Sequence, residues 1–270
     1  MSTRVYSGPH AVHRRLSPAR ALPWLLGAAT IGLEIAYPLT DGDALRRITI
    51  ATVFTFAAAG IVHSLVHRGA GWTLGLVVIS AGGGLLAEAV GVHTGRPFGT
   101  YSYNSTLGPR LFEVPLLVPL AWTMMAYPVL LAARRLTRRW TVLLGAVGLA
   151  AWDVSLDPQM VSDGHWTWAD PSPGLPGIHQ VPLTNLAGWL AVGVVLMTVL
   201  VLVLPRDEER RGPARRRSEA LPAILLGWTW LGYVIGNVFW FGSVAVAVWG
   251  GVLLGLVVLP YLWVLWRDRP

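Results

Sequence analysis

The sequence predicts an all-α, polytopic integral membrane bundle of about eight transmembrane helices, with seven as the variant. Three observations carry this. Residues of the AVILMFWYC set make up 54% of the 270 residues and charged residues only 13%, with a mean hydropathy of +0.54. That leaves too little charge to coat a water-soluble core. Apolar runs recur from residue 21 to residue 266, each about as long as a bilayer core requires, roughly 20 residues. Finally, all 21 basic residues are arginine, and 17 of them fall in residues 1–20, in the gaps 67–70, 134–139 and 205–220, and in the C-terminal tail. The intervening gaps hold only Arg46, Arg47, Arg96 and Arg110. Cytoplasmic loops carry the excess of arginine, so both termini are expected in the cytoplasm of what reads as a bacterial cytoplasmic membrane. The net charge of +7 and pI near 10.5 therefore read as an orientation signal, not as a nucleic-acid surface. The absence of cysteine excludes disulfides, thiolate catalysis and Cys-ligated metal.

The spans are expected at 21–40, 48–66, 71–92, 114–133, 140–157, 184–204, 221–240 and 243–265. They form a single domain, 21–266, between a basic cytoplasmic tail (1–20) and a short C-terminal one (267–270). The first span contains Glu34 and no small-residue cleavage site follows it, so it reads as a retained helix rather than a signal peptide. Spans seven and eight are separated only by Phe241 and Gly242, and a re-entrant hairpin is the alternative there. The stretch 206–217 mixes arginines with Asp207, Glu208 and Glu209, the pattern of a solvated cytoplasmic loop touching anionic lipid. Two outer loops, 93–113 and 158–183, are long and rich in Gly, Pro and aromatics, which places a site opening on that side.

Acidic residues inside so apolar a chain are informative. At about 1.5 Å per residue, Glu88 lies about 25 Å along its span, Asp153 about 20 Å along its own, and Asp157 one turn further. These groups share the outer half of the membrane. Asn185 and Asn237 are expected at similar depth, and Glu34 nearer the middle. Asp153 and Asp157 are spaced i,i+4 and share a helix face. Glu88 sits among Gly82, Gly83, Gly84, Ala87 and Gly91, small residues that permit close helix approach. Carboxyl groups in a dry interior favour their neutral form and can act as proton donors. The bland alternative is a hydrogen-bonded carboxylate that pins helices together, and it weighs most for Glu34.

His63 and His67 are also spaced i,i+4, but at the cytoplasmic end of span two, where interfacial helix-ending histidines are the simpler reading. His93, His165 and His179 all lie in the outer loops, from which each could approach Glu88, and His93 is a candidate substrate contact. No motif demands a metal, and no cofactor is expected. Most of the 14 tryptophans fit interfacial belts. Trp166 and Trp168, beside Asp163 and Asp170, face Tyr101 and Tyr103 across the two outer loops. Together with Trp152 they are candidates to line a mouth for an elongated apolar ligand, or to stabilise a cation through their π faces. Packing of the loops is the competing role.

Several separated segments occur in an order that resembles the CruF-like family of carotenoid biosynthesis proteins. They are EAVGVHTGRPFGTYSY (88–103), VPLLVPLAW (114–122), AWDVSLDP (151–158), HWTW (165–168) and PLTNLAGW (182–189). The likeness covers roughly 80–190, and the stretch after Pro176 departs from the family's Tyr-rich pattern. The resemblance implies an integral membrane hydratase that adds water across the terminal 1,2 double bond of an acyclic carotenoid. It implies a carotenoid substrate, water as co-substrate, the lipid bilayer and neighbouring pathway enzymes as partners, and roles for Glu88, Asp153, Asp157 and Asn185. Such chemistry needs a protonated acid, a polar group orienting water, and aromatic faces for a tertiary cation. Asp153 or Asp157 is the expected donor, Glu88 with Asn185 the expected water-positioning pair, with Trp166 and Tyr101 near the cation.

Two other readings remain open at this stage. Asp-x-x-x-Asp (153–157) could hold a Mg²⁺-diphosphate in an intramembrane prenyltransferase, although such sites use a second Asp-rich motif and basic partners. A non-catalytic carotenoid or lipid carrier would use the same cleft. A His-based, iron-dependent cleavage oxygenase is more distant.

Overall fold

A computed structural model describes residues 18–206 and 218–268. Most of the N-terminal tail, most of the arginine-rich loop and the last two residues lie outside them, and with them the expectations placed there. Among the described residues there are eight α-helices: α1 (Pro18–Ala36), α2 (Gly42–Arg68), α3 (Ala70–Thr94), α4 (Leu117–Leu136), α5 (Thr141–Ser162), α6 (Leu183–Val203), α7 (Ala220–Phe239) and α8 (Val244–Arg267). Seven are long and apolar enough to cross a membrane, α1 being extended through a 3₁₀ turn to Leu39. The chain is thus an all-α, polytopic integral membrane protein.

The helices form a closed ring in the order α1, α2, α3, α6, α5, α8, α7 around α4, which packs against α2, α3, α5, α7 and α8. Helix α5 is not among those seven, because it carries Asp153, Asp157 and Pro158. It is enclosed by α4, α6 and α8, and most of its residues are buried. A helix that meets protein on most sides can carry two aspartates and a proline that lipid would penalise. The helix was expected to stop at Asp157, before Pro158, yet α5 continues through Pro158 to Ser162. Pro158 removes one N–H within the last two turns and the surrounding packing tolerates it. The α7–α8 junction is a turn between two full-length, mutually packed helices, not a re-entrant hairpin.

One arginine is built into the bundle. Arg134, at the end of α4, is buried and donates to the carbonyls of Leu200, Leu204 and Pro205 at 3.3, 2.6 and 3.1 Å. It thereby satisfies the open C-terminus of α6.

The loops 93–113 and 158–183 are joined by a short antiparallel ladder that sequence reading did not foresee. β1 (Tyr101–Tyr103) pairs with β4 (Trp166–Trp168), with Tyr101 opposite Trp168 and Tyr103 opposite Trp166. Strand alternation explains the pattern: Tyr101, Tyr103 and Trp166 are buried, while Ser102 and Thr167 face outward. Three of the four rings thus press into the bundle beneath the ladder. A short hairpin pairs β2 (Arg110–Leu111) with β3 (Val114–Pro115), so α4 begins at Leu117 and not at 114.

Candidate functional site

Glu88 sits on α3, about two turns before a glycine-capped end at Gly95 (φ +69°). Its carboxylate accepts from three donors: Tyr101 Oη at 2.5 Å and Tyr103 Oη at 2.8 Å on Oε2, and Trp122 Nε1 at 3.1 Å on Oε1. Three donors satisfy the anionic form of a carboxylate. Burial and the neighbouring Glu88 charge hold both tyrosine phenols above their ordinary range, so they remain donors. The glycines of α3 make room for these partners. A Cβ at Gly84 would stand 2.5 Å from Trp122 Cγ, and one at Gly91 would stand 2.8 Å from Tyr101 Oη. Gly83 instead abuts Leu196 of α6, so adjacent glycines serve different neighbours.

Asp153 and Asp157 project from one face of α5, and both are buried. The single amide nitrogen of Asn185, at the start of α6, donates to Asp153 Oδ2 at 2.7 Å and to Asp157 Oδ2 at 2.5 Å. Two carboxyl groups on one amide use both of its hydrogens. Asp153 Oδ1 is buried with no partner among the described residues.

Three cavities surround this constellation. The first, about 70 Å³, is lined by Glu88, Tyr101, Tyr103, Asp157, Asn185 and Trp166, with Trp122, Trp152, Trp168 and Trp189 completing an aromatic wall. Trp122 and Trp189 stack at 4.0 Å with an interplanar angle of 1°, and Trp152 meets Trp189 edge-on at 5.8 Å. The second, about 380 Å³, lies between α1, α2, α5 and α7. It shares Thr49, Val53, Met124, Trp152, Leu156 and Met160 with the first, so the two are neighbouring compartments of one interior space. The third, about 20 Å³, lies under the 158–183 loop against Asp153, Asn185, Ile178 and Val181. That is room for one water molecule.

The structure therefore brings together Glu88, Asp153, Asp157, Asn185, Tyr101, Tyr103, Trp152, Trp166 and Trp168. It does not bring His93 or Asn237 there. His93 is exposed and its Nδ1 meets the Ala89 carbonyl of its own helix at 2.8 Å. Five residues of helix rotate it about 140° away from Glu88. Asn237 is buried on α7, where its amide donates to the Tyr233 carbonyl at 2.9 Å and its own carbonyl accepts from Ser243 N. Its side chain thus stays on its own helix, and its backbone carbonyl helps close the α7–α8 turn. His179 and Asp170 are exposed, and Asp163 accepts from Tyr37 Oη and Gln159. His165 is buried beneath the ladder, with Nδ1 2.8 Å from Thr106 Oγ1. The His63 and His67 rings lie 4.3 Å apart with their planes tilted by 33°, and His63 Nδ1 meets Tyr127 Oη at 2.8 Å, at the far end of the bundle from the acidic residues. Sequence reading missed Trp122, Trp189 and Phe98 as wall residues. Trp122 and Trp189 lie inside the segments quoted above, but nothing local announces a long-range stack.

The carotenoid biosynthesis protein family model matches residues 47–259. A bisanhydrobacterioruberin hydratase of Haloarcula japonica is 31% identical over 217 residues, covering 77% of this chain and 67% of that protein. No solved structure matches. The matched region spans most of α2 through most of α8 and contains every residue of the acidic and aromatic constellation, so the chain belongs to the carotenoid biosynthesis protein family.

Proposed function

We propose that this protein is a cofactor-independent hydratase that adds water to the terminal double bond of an acyclic carotenoid end group. The observation that carries this reading is the Asn185-bridged Asp153–Asp157 pair at the wall of an aromatic-lined, buried cavity. The similarity to a named hydratase supports it.

Hydration of a trisubstituted alkene begins with proton transfer to C2, leaving a tertiary cation at C1; water oxygen then bonds to C1 and gives up a proton. Asp157 borders the cavity and Asp153 does not, so Asp157 is the proton donor in this scheme. Two carboxyl groups on one amide are compatible with a single shared proton, which leaves one acid and one base. The proton lost by the attacking water returns to the Asp157 carboxylate, and the acid is regenerated with no net change. Glu88, held in place by three donors, adds a fixed polar group to the same cavity, and the Trp122, Trp166 and Trp189 faces add π density for the cation. The larger compartment takes the first part of the polyene chain. The arginine asymmetry supports a reading with both termini in the cytoplasm and this site in the outer half of the membrane.

Expression in a host that accumulates acyclic carotenoids tests the reading. Products heavier by one water per end support it; unchanged carotenoid in the presence of folded protein overturns it. The 380 Å³ compartment favours one second reading, a carrier. A carrier would return pigment bound in stoichiometric amount and chemically unaltered.

A further inference from the structure

The larger compartment has a buried back and an exposed front. Phe56, Met124, Trp152 and Met160 line it from α2, α4 and α5, and all four are buried. Ile35 of α1 and Leu231, Gly232 and Ile235 of α7 line the same space and are exposed. The front therefore lies between α1 and α7. Helix α1 packs along α2, where Thr30 donates to Thr55 at 3.0 Å, and touches α7 far more sparingly. One contact sets Gly27 against α7, where an added Cβ would stand 2.8 Å from Leu221 and 3.7 Å from Leu225. Another, toward the ladder end, sets Tyr37 edge-on to Phe241 with ring centroids 5.9 Å apart. There Phe241 folds back over Gly236, and Tyr37 is held by Asp163. Between these two levels run about 15 Å of α1 and about 17 Å of α7. Along that stretch Glu34 and Trp228 interact across the gap, and both line the compartment. Gly232 stands on the α7 edge with nothing within 4 Å of an added Cβ. A glycine inside a helix costs about 1 kcal/mol relative to alanine, and here the missing side chain leaves the passage clear.

We propose that the gap between α1 and α7 is a lateral window through which an apolar isoprenoid chain enters from the bilayer, and through which its unenclosed remainder stays in lipid. Volume calls for such an opening. About 380 Å³ is near the low end for pockets that enclose drug-sized ligands, roughly 300–1,000 Å³, and a polyene of carotenoid length exceeds it. Passage is easy for such a chain, because lipid tails are as apolar as the leucine and isoleucine side chains that frame the window. Entry beneath the ladder would instead take it past polar loops and through the hydrogen bonds that hold Glu88. The window also leads to the acids. Trp152, Leu156 and Met160 line both compartments, so a chain entering between α1 and α7 arrives at Asp157 end first. The proposal rests on the reading that the acid pocket receives an isoprenoid end, but the chain occupies the window whether or not hydration follows.

The test has two arms. The chain has no cysteine, so Gly232→Cys carries a nitroxide spin label without background. Gly82→Cys is the control, equally open but lining none of the three cavities. Both are placed in liposomes in an Asp157→Asn background that stops turnover. Adding an acyclic carotenoid should slow the motion of the label at 232 and leave that at 82 unchanged. No response at 232, or an equal response at both positions, overturns the proposal. The second arm is kinetic and keeps Asp157. Gly232→Trp should fill the window, so kcat/KM should fall about tenfold or more while kcat is kept, the mark of slowed entry. Gly82→Trp should change neither, and thermal unfolding confirms that both variants are folded. Unaltered kcat/KM in folded Gly232→Trp protein also overturns the proposal. Failure of the hydratase reading shows separately, as carotenoid that slows the label at 232 yet is never hydrated by protein with Asp157 intact.

Discussion

Asp153 and Asp157 share one amide nitrogen of Asn185 yet border different spaces. Asp157 lines the aromatic cavity, whereas Asp153 lines the water-sized cavity under the outer loop. A pair held by one amide in unequal surroundings is expected to divide its labour. Asp157→Asn should reduce hydration by about 10²–10⁴-fold, the usual contribution of a general acid. Asp153→Asn keeps the volume and one polar contact, and should cost about tenfold to a hundredfold on the same scale of proton-transfer effects. Product formation in membranes, quantified per folded protein, distinguishes them. Equal activity of both variants with the unaltered chain would sink the assignment.

The Glu88 cluster predicts a stability effect. Tyr101→Phe and Tyr103→Phe each remove one hydrogen bond to a buried carboxylate while preserving the ring. Each should destabilise by about 1.5–3 kcal/mol, the range for bonds to charged groups. Because both phenols meet the same Oε2, the double variant should depart from additivity. Thermal unfolding in detergent provides the readout, and Glu88→Gln should shrink the effect of either tyrosine change.

The ladder between the loops should respond to pH through His165. Burial lowers the pKa of this imidazole below 6.5, and Asp163 opposes the shift only in part. In the opened loop the ring takes a proton near 6.5, while in the closed one it resists until lower pH. The closed form is therefore fully stable above 6.5 and loses stability as pH falls below that value. Hydrogen exchange at 101–103 and 166–168 should quicken between pH 7 and pH 5, and His165→Gln should flatten the response. An identical profile in that variant would refute the assignment.

The helices were legible because the bilayer forces long apolar runs, and the i,i+4 spacing of Asp153 and Asp157 survives any small error in helix ends. Asn185 could be placed only by depth; that it would bridge both acids depends on the α5–α6 packing. The ladder escaped notice because Tyr-Ser-Tyr and Trp-Thr-Trp are three-residue alternations, too short to stand out inside loops rich in Gly and Pro. His93 shows the opposite error. Five residues from Glu88 is near in sequence but lies on another face of the helix. The Trp122–Trp189 stack joins α4 to α6, a relationship no local pattern encodes.

Gly84 gives that stack a direct test. Its missing side chain is filled by Trp122, whose Cβ, Cγ and Cδ1 would all fall within 2.5–2.9 Å of an added Cβ. Gly84→Ala must therefore displace the indole that donates to Glu88 and stacks on Trp189. The expected cost is about 1–3 kcal/mol of stability, as for overpacking elsewhere. Gly82, with open space around it, is the matched control, and alanine there should be neutral or slightly stabilising through helix propensity.

The water-sized cavity beside Asp153 makes the last prediction. Water must reach a site otherwise walled by aromatic rings, and this cavity touches the carboxylate whose Oδ1 has no protein partner. Val181→Phe would fill it without adding charge or touching the aromatic cavity. If the next water waits there, kcat should fall about tenfold or more while KM for the carotenoid stays constant, because substrate binding is untouched and only a step after it is slowed. If Val181 merely packs the loop, stability should fall and kcat per folded molecule should not. Measuring kcat and thermal unfolding on the same preparation separates the two outcomes.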